Sequence, residues 1–157
     1  RIEGGERCVN ALSYLQGGKK SGENVVIIGG GLTGCEIAYD LYRRGKKPVI
    51  VEAKNDLMAV RGLCLANSSY LRDFFRTNNV PVHLESTVVR MDKTSVTIKA
   101  KDGKETIIPA DTVIVSVGYT PNPLAEAGKR VHLVGDCNGV GNLRTVVWRA
   151  WEVAEEI

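Results

Sequence analysis

Three glycines and one carboxylate hold most of the chemical information in this chain. Gly29, Gly31 and Gly34 stand at G-x-G-x-x-G spacing in the run "VVIIGGGLTGCEIAYDLYRRGKKPVIVE" (25–52), and Glu52 follows Gly34 by 18 residues. An apolar, β-branched run leads into the glycines, a helical stretch leaves them, and a second apolar run ends at Glu52. A bare glycine pattern is common in turns. With the strand, the helix and the acid in place, it is a complete βαβ dinucleotide-binding fingerprint.

Each residue has a physical task in that reading. Gly29 allows the tight turn off the first strand, Gly31 leaves room for a pyrophosphate against the backbone, and Gly34 lets the helix pack close. Around Gly30, Leu32 and Thr33 the helix N-terminus offers unpaired N–H groups and the positive end of its dipole to phosphate. Glu52 can accept hydrogen bonds from both adenosine ribose hydroxyls, and its charge repels a 2′-phosphate. The fingerprint therefore predicts NAD(H) over NADP(H). Lys54, just past Ala53, pulls the other way by partly offsetting a phosphate charge.

Other reactive side chains carry less. Cys35 lies in the first turn, where a helix dipole can lower a thiol pKa, but a small packing residue is the favoured reading. Cys137 beside Asp136, and the isolated His83 and His132, read as structural. Arg43, Arg44, Lys46 and Lys47 complement a helix C-terminus and stay solvated. The sequence holds no Ser/His/Asp or metal constellation.

The elements that must position the fingerprint follow from periodicity. Residues 8–15 read as a short helix ended by Gly17-Gly18 and a basic linker. Strands are predicted over 25–28, 48–52 and 81–84, with helices over 32–44, stopped by Gly45, and 67–78, where Tyr70, Leu71, Phe74 and Phe75 share one side. Pro48 is expected at the first residue of its strand. "STVVRMD", "SVTIKA" and "KETIIPA" alternate with period two, and Asp102-Gly103 between the last two signals a hairpin. They predict a three-stranded antiparallel meander across the parallel sheet. "DTVIVSVG" (111–118) returns as a buried parallel strand. A C-terminal helix places Leu143, Val147, Ala150 and Ala154 on one face and Trp148 and Trp151 on a neighbouring one.

Composition sets outer bounds. The 157 residues suit one ordinary domain, and a formal net charge of +3 with interspersed signs implies neither nucleic acid nor membrane as partner. No apolar run nears the roughly 20 residues that span a bilayer. Four scattered cysteines without C-x-x-C or zinc spacing fit reduced thiols, hence a cytoplasmic setting.

With these residues in view, "VVIIGGGLTGCEIA", the meander and "ADTVIVSVGYTPNP" resemble the NAD domain of two-dinucleotide-binding-domain flavoproteins. The fold implied is α/β: a Rossmann-like βαβ parallel sheet with a three-stranded antiparallel β-meander, the glutathione-reductase-type NAD domain. Val117 and Gly118 then mark the crossing back into an FAD domain, and "VHLVGDC" resembles that domain's closing strand. Asp136 is implied as an FAD ligand, with Gly135 giving the backbone room. Glu36 resembles the family's G-x-E acid and either helps place a nicotinamide or complements the helix dipole.

The tail "NGVGNLRTVVWRAWEVAEEI" is similar to the C-terminal part of old-yellow-enzyme-like NADH:flavin oxidoreductases of the 2,4-dienoyl-CoA and enoate reductase type. That resemblance implies hydride passing from NADH to FAD, then through an iron–sulfur cluster to FMN on a (β/α)₈ barrel. The expected organisation is an N-terminal flank over 1–22, an NAD(H)-binding domain over 23–118, and a C-terminal flank over 119–157 belonging to the FAD domain. The link from Pro123 to Val131 is short for such a return. The chain then reads as an excised module whose partners are the flavin and barrel domains, with no catalytic side chain of its own because the cofactors do the chemistry. The two tryptophans read either as core or as contact with those domains. Two other readings stand: the module of a disulfide reductase or NADH oxidase, and a non-catalytic adenine-nucleotide module as in amine dehydrogenases.

Overall fold

In a computed structural model, which describes residues 2–60 and 62–156, the chain divides into one unit ending at Val117 and another beginning at Gly118. The first unit runs β1 (Val9–Asn10), α1 (Ala11–Leu15), β2 (Asn24–Ile28), α2 (Leu32–Arg43), β3 (Lys47–Val51), α3 (Leu65–Thr77), β4 (Val82–His83), β5 (Ser86–Met91), β6 (Ser95–Ala100), β7 (Glu105–Pro109) and β8 (Thr112–Val115). Five strands form a parallel sheet in the order β1-β8-β2-β3-β4, and β5-β6-β7 form a separate antiparallel sheet. This is the α/β fold expected, with its meander.

Alternation along the strands explains the two layers. Val25, Ile27, Ile50 and Ile114 join a core with α1, α2 and α3, including Ile37, Leu41, Leu71 and Phe75. Val26, Val51 and Val113 point to the opposite face and pack with Val88, Val96, Ile98 and Ile108 of the meander. Both faces of the central strands are thus covered, which is why they are apolar after their first residues, Asn24, Lys47 and Thr112. Each fully buried Val or Ile contributes about 1.5–3 kcal/mol relative to exposure. Hairpin β6–β7 closes where expected, with Gly103 at φ 86° and its N–H on the Ala100 carbonyl.

The chain leaves β2 through α2 toward β3 on one side, while β8 lies on β2's other side. Strand order therefore reverses at the carboxyl ends of β2 and β8. In open α/β sheets that crevice is where ligands bind.

Some local expectations are corrected. Residues 8–15 are not one helix, because Val9 and Asn10 pair with Ile114 and Val115. The Asn10 side chain accepts the Leu12 N–H at 2.8 Å and caps α1, so the helix starts only at Ala11. Pro48 is the second residue of its strand, not the first.

The second unit contains a 3₁₀ turn (Gly135–Cys137) and α4 (Leu143–Glu156). "VHLV" forms no strand; Val131 makes only an isolated bridge to Gly128. A strand needs a ladder partner, and among the described residues of this unit there is none. The helix face is corrected too. Leu143, Val147, Ala150 and Ala154 are exposed, whereas Val146, Arg149 and Val153 are half-buried. Val146 lies against Gly135 and Arg149 donates to the Gly139 carbonyl, so the turn covers a different stripe from the most apolar one.

Candidate dinucleotide site

The glycine turn is fixed by close backbone packing. Gly29 adopts φ 106°, its N–H donates to the Val51 carbonyl at 2.8 Å, and a Cβ there would stand 2.3 Å from the Ser116 carbonyl oxygen. A Cβ on Gly34 would lie 2.1 Å from the Gly29 carbonyl oxygen, so α2 rests directly on the turn. Gly31 differs: a Cβ there meets nothing within 4 Å. Gly31 is also the N-cap of α2 and supplies no side-chain hydrogen bond to its first turn. Open space over an uncapped helix N-terminus is what a phosphate requires.

Glu52 follows β3 and is half-buried beside the turn. Its Oε2 accepts the Gly30 N–H at 2.6 Å and its Oε1 accepts the Lys54 N–H at 2.7 Å. The sequence did not signal that the carboxylate would grip the glycine turn itself. Ala53 and Lys54 are exposed, and Lys54 Nζ lies 3.5 Å from the Ala59 carbonyl oxygen. Leu32 and Thr33 stand half-buried in the first turn of α2. Val117 is 72 % exposed after β8.

Glu36 lies beyond the first turn of α2, which contains no acid, so the dipole role expected for it loses its basis. Its exposed side chain lines a groove of about 240 Å³ with Tyr14, Ile37, Asp40 and Arg44. In the second unit Gly118 has φ 103° and Gly135 φ 73°. Asp136 is exposed, and its Oδ1 accepts the Gly141 N–H at 3.1 Å.

The thiols divide by environment. Cys35 is fully buried with its S–H toward the Gly30 carbonyl at 3.4 Å, and burial pushes its pKa up to about 12. Desolvation outweighs the helix dipole, so it is a packing residue. Burial and then Glu6 also raise Cys8, whose S–H points to Met91 Sδ at 3.3 Å. Cys137 donates to the Val134 carbonyl at 3.0 Å, and Cys64 is exposed. His83 sits in β4, while His132 is exposed and outside any strand. Among the described residues no His, Cys, Asp and Glu converge into a metal-binding group, and no helix is long and apolar enough to cross a membrane.

A brace over the turn escaped sequence reading. Met58 donates its N–H to the Gly30 carbonyl at 2.7 Å, and Leu57 Cδ2 stands 2.5 Å from where a Gly30 Cβ would be. From α3, Arg72 grips Asp56 through Nε at 3.2 Å and Nη2 at 2.9 Å, and Nη2 also donates to the Leu57 carbonyl. Sixteen residues separate Arg72 from Asp56, and no local pattern links them.

Taken together, the parallel sheet, the meander and the glycine turn define a dinucleotide-binding domain of the flavoprotein reductase class. A family model described as pyridine nucleotide-disulphide oxidoreductase matches residues 4–139. The chain belongs to that family, as a pyridine-nucleotide/flavin oxidoreductase domain. It is 37 % identical to a cinnamate reductase of Clostridium sporogenes over 99 % of its own length and 24 % of the relative's. Identity to an NADH oxidase of Thermoanaerobacter brockii is 30 %, over 86 % of this chain and 21 % of that protein. Among solved structures, a 2-naphthoyl-CoA reductase complex superposes with a TM-score of 0.86 at 26 % identity, covering 100 % of this chain and 25 % of that one. The chain thus spans about a quarter of the length of these relatives.

Proposed function

We propose that this chain is the NADH-docking module of a multidomain ene-reductase carrying FAD, FMN and an iron–sulfur cluster. The observation that carries the docking role is the open, uncapped N-terminus of α2 beside Glu52. The residues fit the nucleotide: Gly29–Gly34 cradle the pyrophosphate, Glu52 receives the adenosine ribose, and Ala53 and Lys54 border it. Glu36, Val117 and Gly118 border the nicotinamide half. Gly135 and Asp136 are the flavin-side residues of the module. NADH, when bound, supplies the hydride for the flavin.

The chain's own residues bind and orient. Backbone N–H groups at α2 oppose phosphate charge, and the Glu52 carboxylate disfavours a 2′-phosphate in the same place. None of them needs to move a proton. The ene-reductase assignment rests on the 37 % identity to a cinnamate reductase and on the match to a 2-naphthoyl-CoA reductase. Its domain plan keeps 1–22 and 119–157 as flanks of the nucleotide domain at 23–118. Trp148 and Trp151, 63 % and 59 % exposed, supply an apolar face for the flavin and barrel domains of the same full-length chain. The setting of such a reductase is the cytoplasm.

Calorimetric titration of the full chain with NADH, NADPH and ADP tests the docking role. NADH is expected to bind tightest, NADPH weakest. Equal affinity for NADH and ADP would instead favour a non-catalytic nucleotide module. For the wider assignment, the full-length protein should bleach its flavin absorbance on NADH addition and recover it with an activated alkene. Recovery with a disulfide or dioxygen alone would point to the disulfide-reductase or NADH-oxidase type.

A further inference from the structure

We infer that Arg72 is a positioning residue for the nucleotide site, acting through the 56–58 segment on the peptide of Gly30. The inference rests on the NADH-docking reading and extends it to a residue on a different helix.

Gly30 is held through both of its flanking peptides, by its own N–H in the Gly29–Gly30 peptide and by its own carbonyl in the Gly30–Gly31 peptide. Its N–H is on Glu52 Oε2 at 2.6 Å, and its carbonyl accepts the Met58 N–H at 2.7 Å. The orientation of the Gly30–Gly31 peptide, which carries that carbonyl, sets where Gly31 and the first N–H groups of α2 point. Met58, whose N–H makes that bond, takes φ 51°, a left-handed conformation that a Met side chain disfavours. Such a conformation persists only where its surroundings enforce it.

Two features do the enforcing. Leu57 and Met58 are buried in the same core as Phe75 and Leu71, with Leu57 filling the space beside Gly30. Arg72 then fastens the outer side. Its guanidinium makes a two-pronged contact with Asp56 and a third hydrogen bond to the Leu57 carbonyl, the carbonyl immediately before the Met58 N–H. A planar fork of this kind fixes geometry as well as charge. The Arg72 side chain is only about one-third exposed, so solvent screening is incomplete. Loosening Arg72 frees the Leu57–Met58 peptide, relaxes φ at Met58 and lets the Gly30 carbonyl turn. Glu52 then shares its carboxylate with a turn that no longer stays in register with the ribose.

The test compares Arg72→Ala, Arg72→Lys and Asp56→Asn in the full chain, by titration with NADH and with reduced nicotinamide mononucleotide, which lacks the adenosine half. Thermal unfolding is measured in parallel. Arg72→Ala should weaken NADH on the order of tenfold, with Arg72→Lys and Asp56→Asn falling between it and the parent. Affinity for the mononucleotide should stay within about twofold throughout. Equal weakening of both ligands would show general loosening and overturn the inference, as would unchanged NADH affinity in Arg72→Ala. If Arg72→Ala does not fold, Arg72→Lys decides: parental NADH affinity overturns the positioning role. Failure of the parent chain to bind NADH would sink the docking reading instead.

Discussion

Glu52 Oε2 receives the Gly30 N–H at 2.6 Å, so the acid that follows β3 is bonded to the glycine turn that follows β2. The carboxylate proposed to read the ribose is thus also a fixed partner of the glycine turn. Its removal therefore has two separable effects. Glu52→Gln keeps an acceptor for the Gly30 N–H but loses the charge, so it should narrow the NADH over NADPH preference while NADH still binds. Glu52→Ala should weaken both nucleotides by about tenfold or more, since the charge-assisted bonds to Gly30 and Lys54 disappear together. Paired NADH and NADPH titrations distinguish the variants. Unchanged discrimination in both would show that Glu52 does not read the ribose.

Gly31 and Gly34 separate binding from folding. Gly31→Ala adds a methyl where no atom lies within 4 Å, so stability should change by no more than about 1 kcal/mol. NADH affinity should nonetheless fall, because the methyl takes up the space proposed for the pyrophosphate. Gly34→Ala forces a Cβ to 2.1 Å from the Gly29 carbonyl oxygen and should cost at least about 1–3 kcal/mol of stability. Urea unfolding alongside NADH titration checks both, and normal NADH binding by Gly31→Ala would place the phosphates elsewhere.

Cys35 makes stability depend on alkaline pH. Its thiol is held near 12 by burial, against an ordinary 9.0, so the folded chain keeps the proton that the unfolded chain releases. Stability should be level below pH 9.0 and fall as pH rises from there toward 12. Cys35→Ala should flatten that part of the profile, measured by urea midpoints across the range. In the native chain at pH 8 a thiol reagent should modify exposed Cys64 and leave Cys35 untouched; rapid labelling of Cys35 would contradict its burial.

Asp111 ties the start of β8 to the start of β2. Burial works to raise its carboxyl pKa, but the N–H groups of Asn24 and Glu23 and the Thr112 hydroxyl together hold it below the ordinary 3.8. The stabilisation is present above pH 3.8 and is lost as pH falls through the lowered folded value. Asp111→Ala should cost about 1 kcal/mol at neutral pH, given the exposure of the site, and less in acid. Equal loss at pH 7 and pH 2.5 would rule out the charged form as the one that matters.

Legibility followed the range of the interaction. The Gly29–Gly34 turn, α2 and the β6–β7 hairpin are written in consecutive residues, where a glycine φ or an alternating run decides the outcome. Val9–Asn10 was misread as helix because a two-residue strand has no period of its own, and only the free edge of β8 makes it one. The covered face of α4 was not legible for a related reason. Hydrophobicity chose Leu143, Val147 and Ala150, whereas contact with Gly135 and Gly139 covers Val146 and Arg149.

By itself the sequence determined the βαβ unit, the meander and the acid 18 residues past Gly34, because backbone sterics and alternation act over a few residues. Only the tertiary structure decided that Glu52 binds Gly30, that Met58 binds its other side, and that Arg72 binds Asp56 and the Leu57 carbonyl. Those contacts join residues 15 to 28 apart, and they exist only once β2, β3 and α3 have packed into one core.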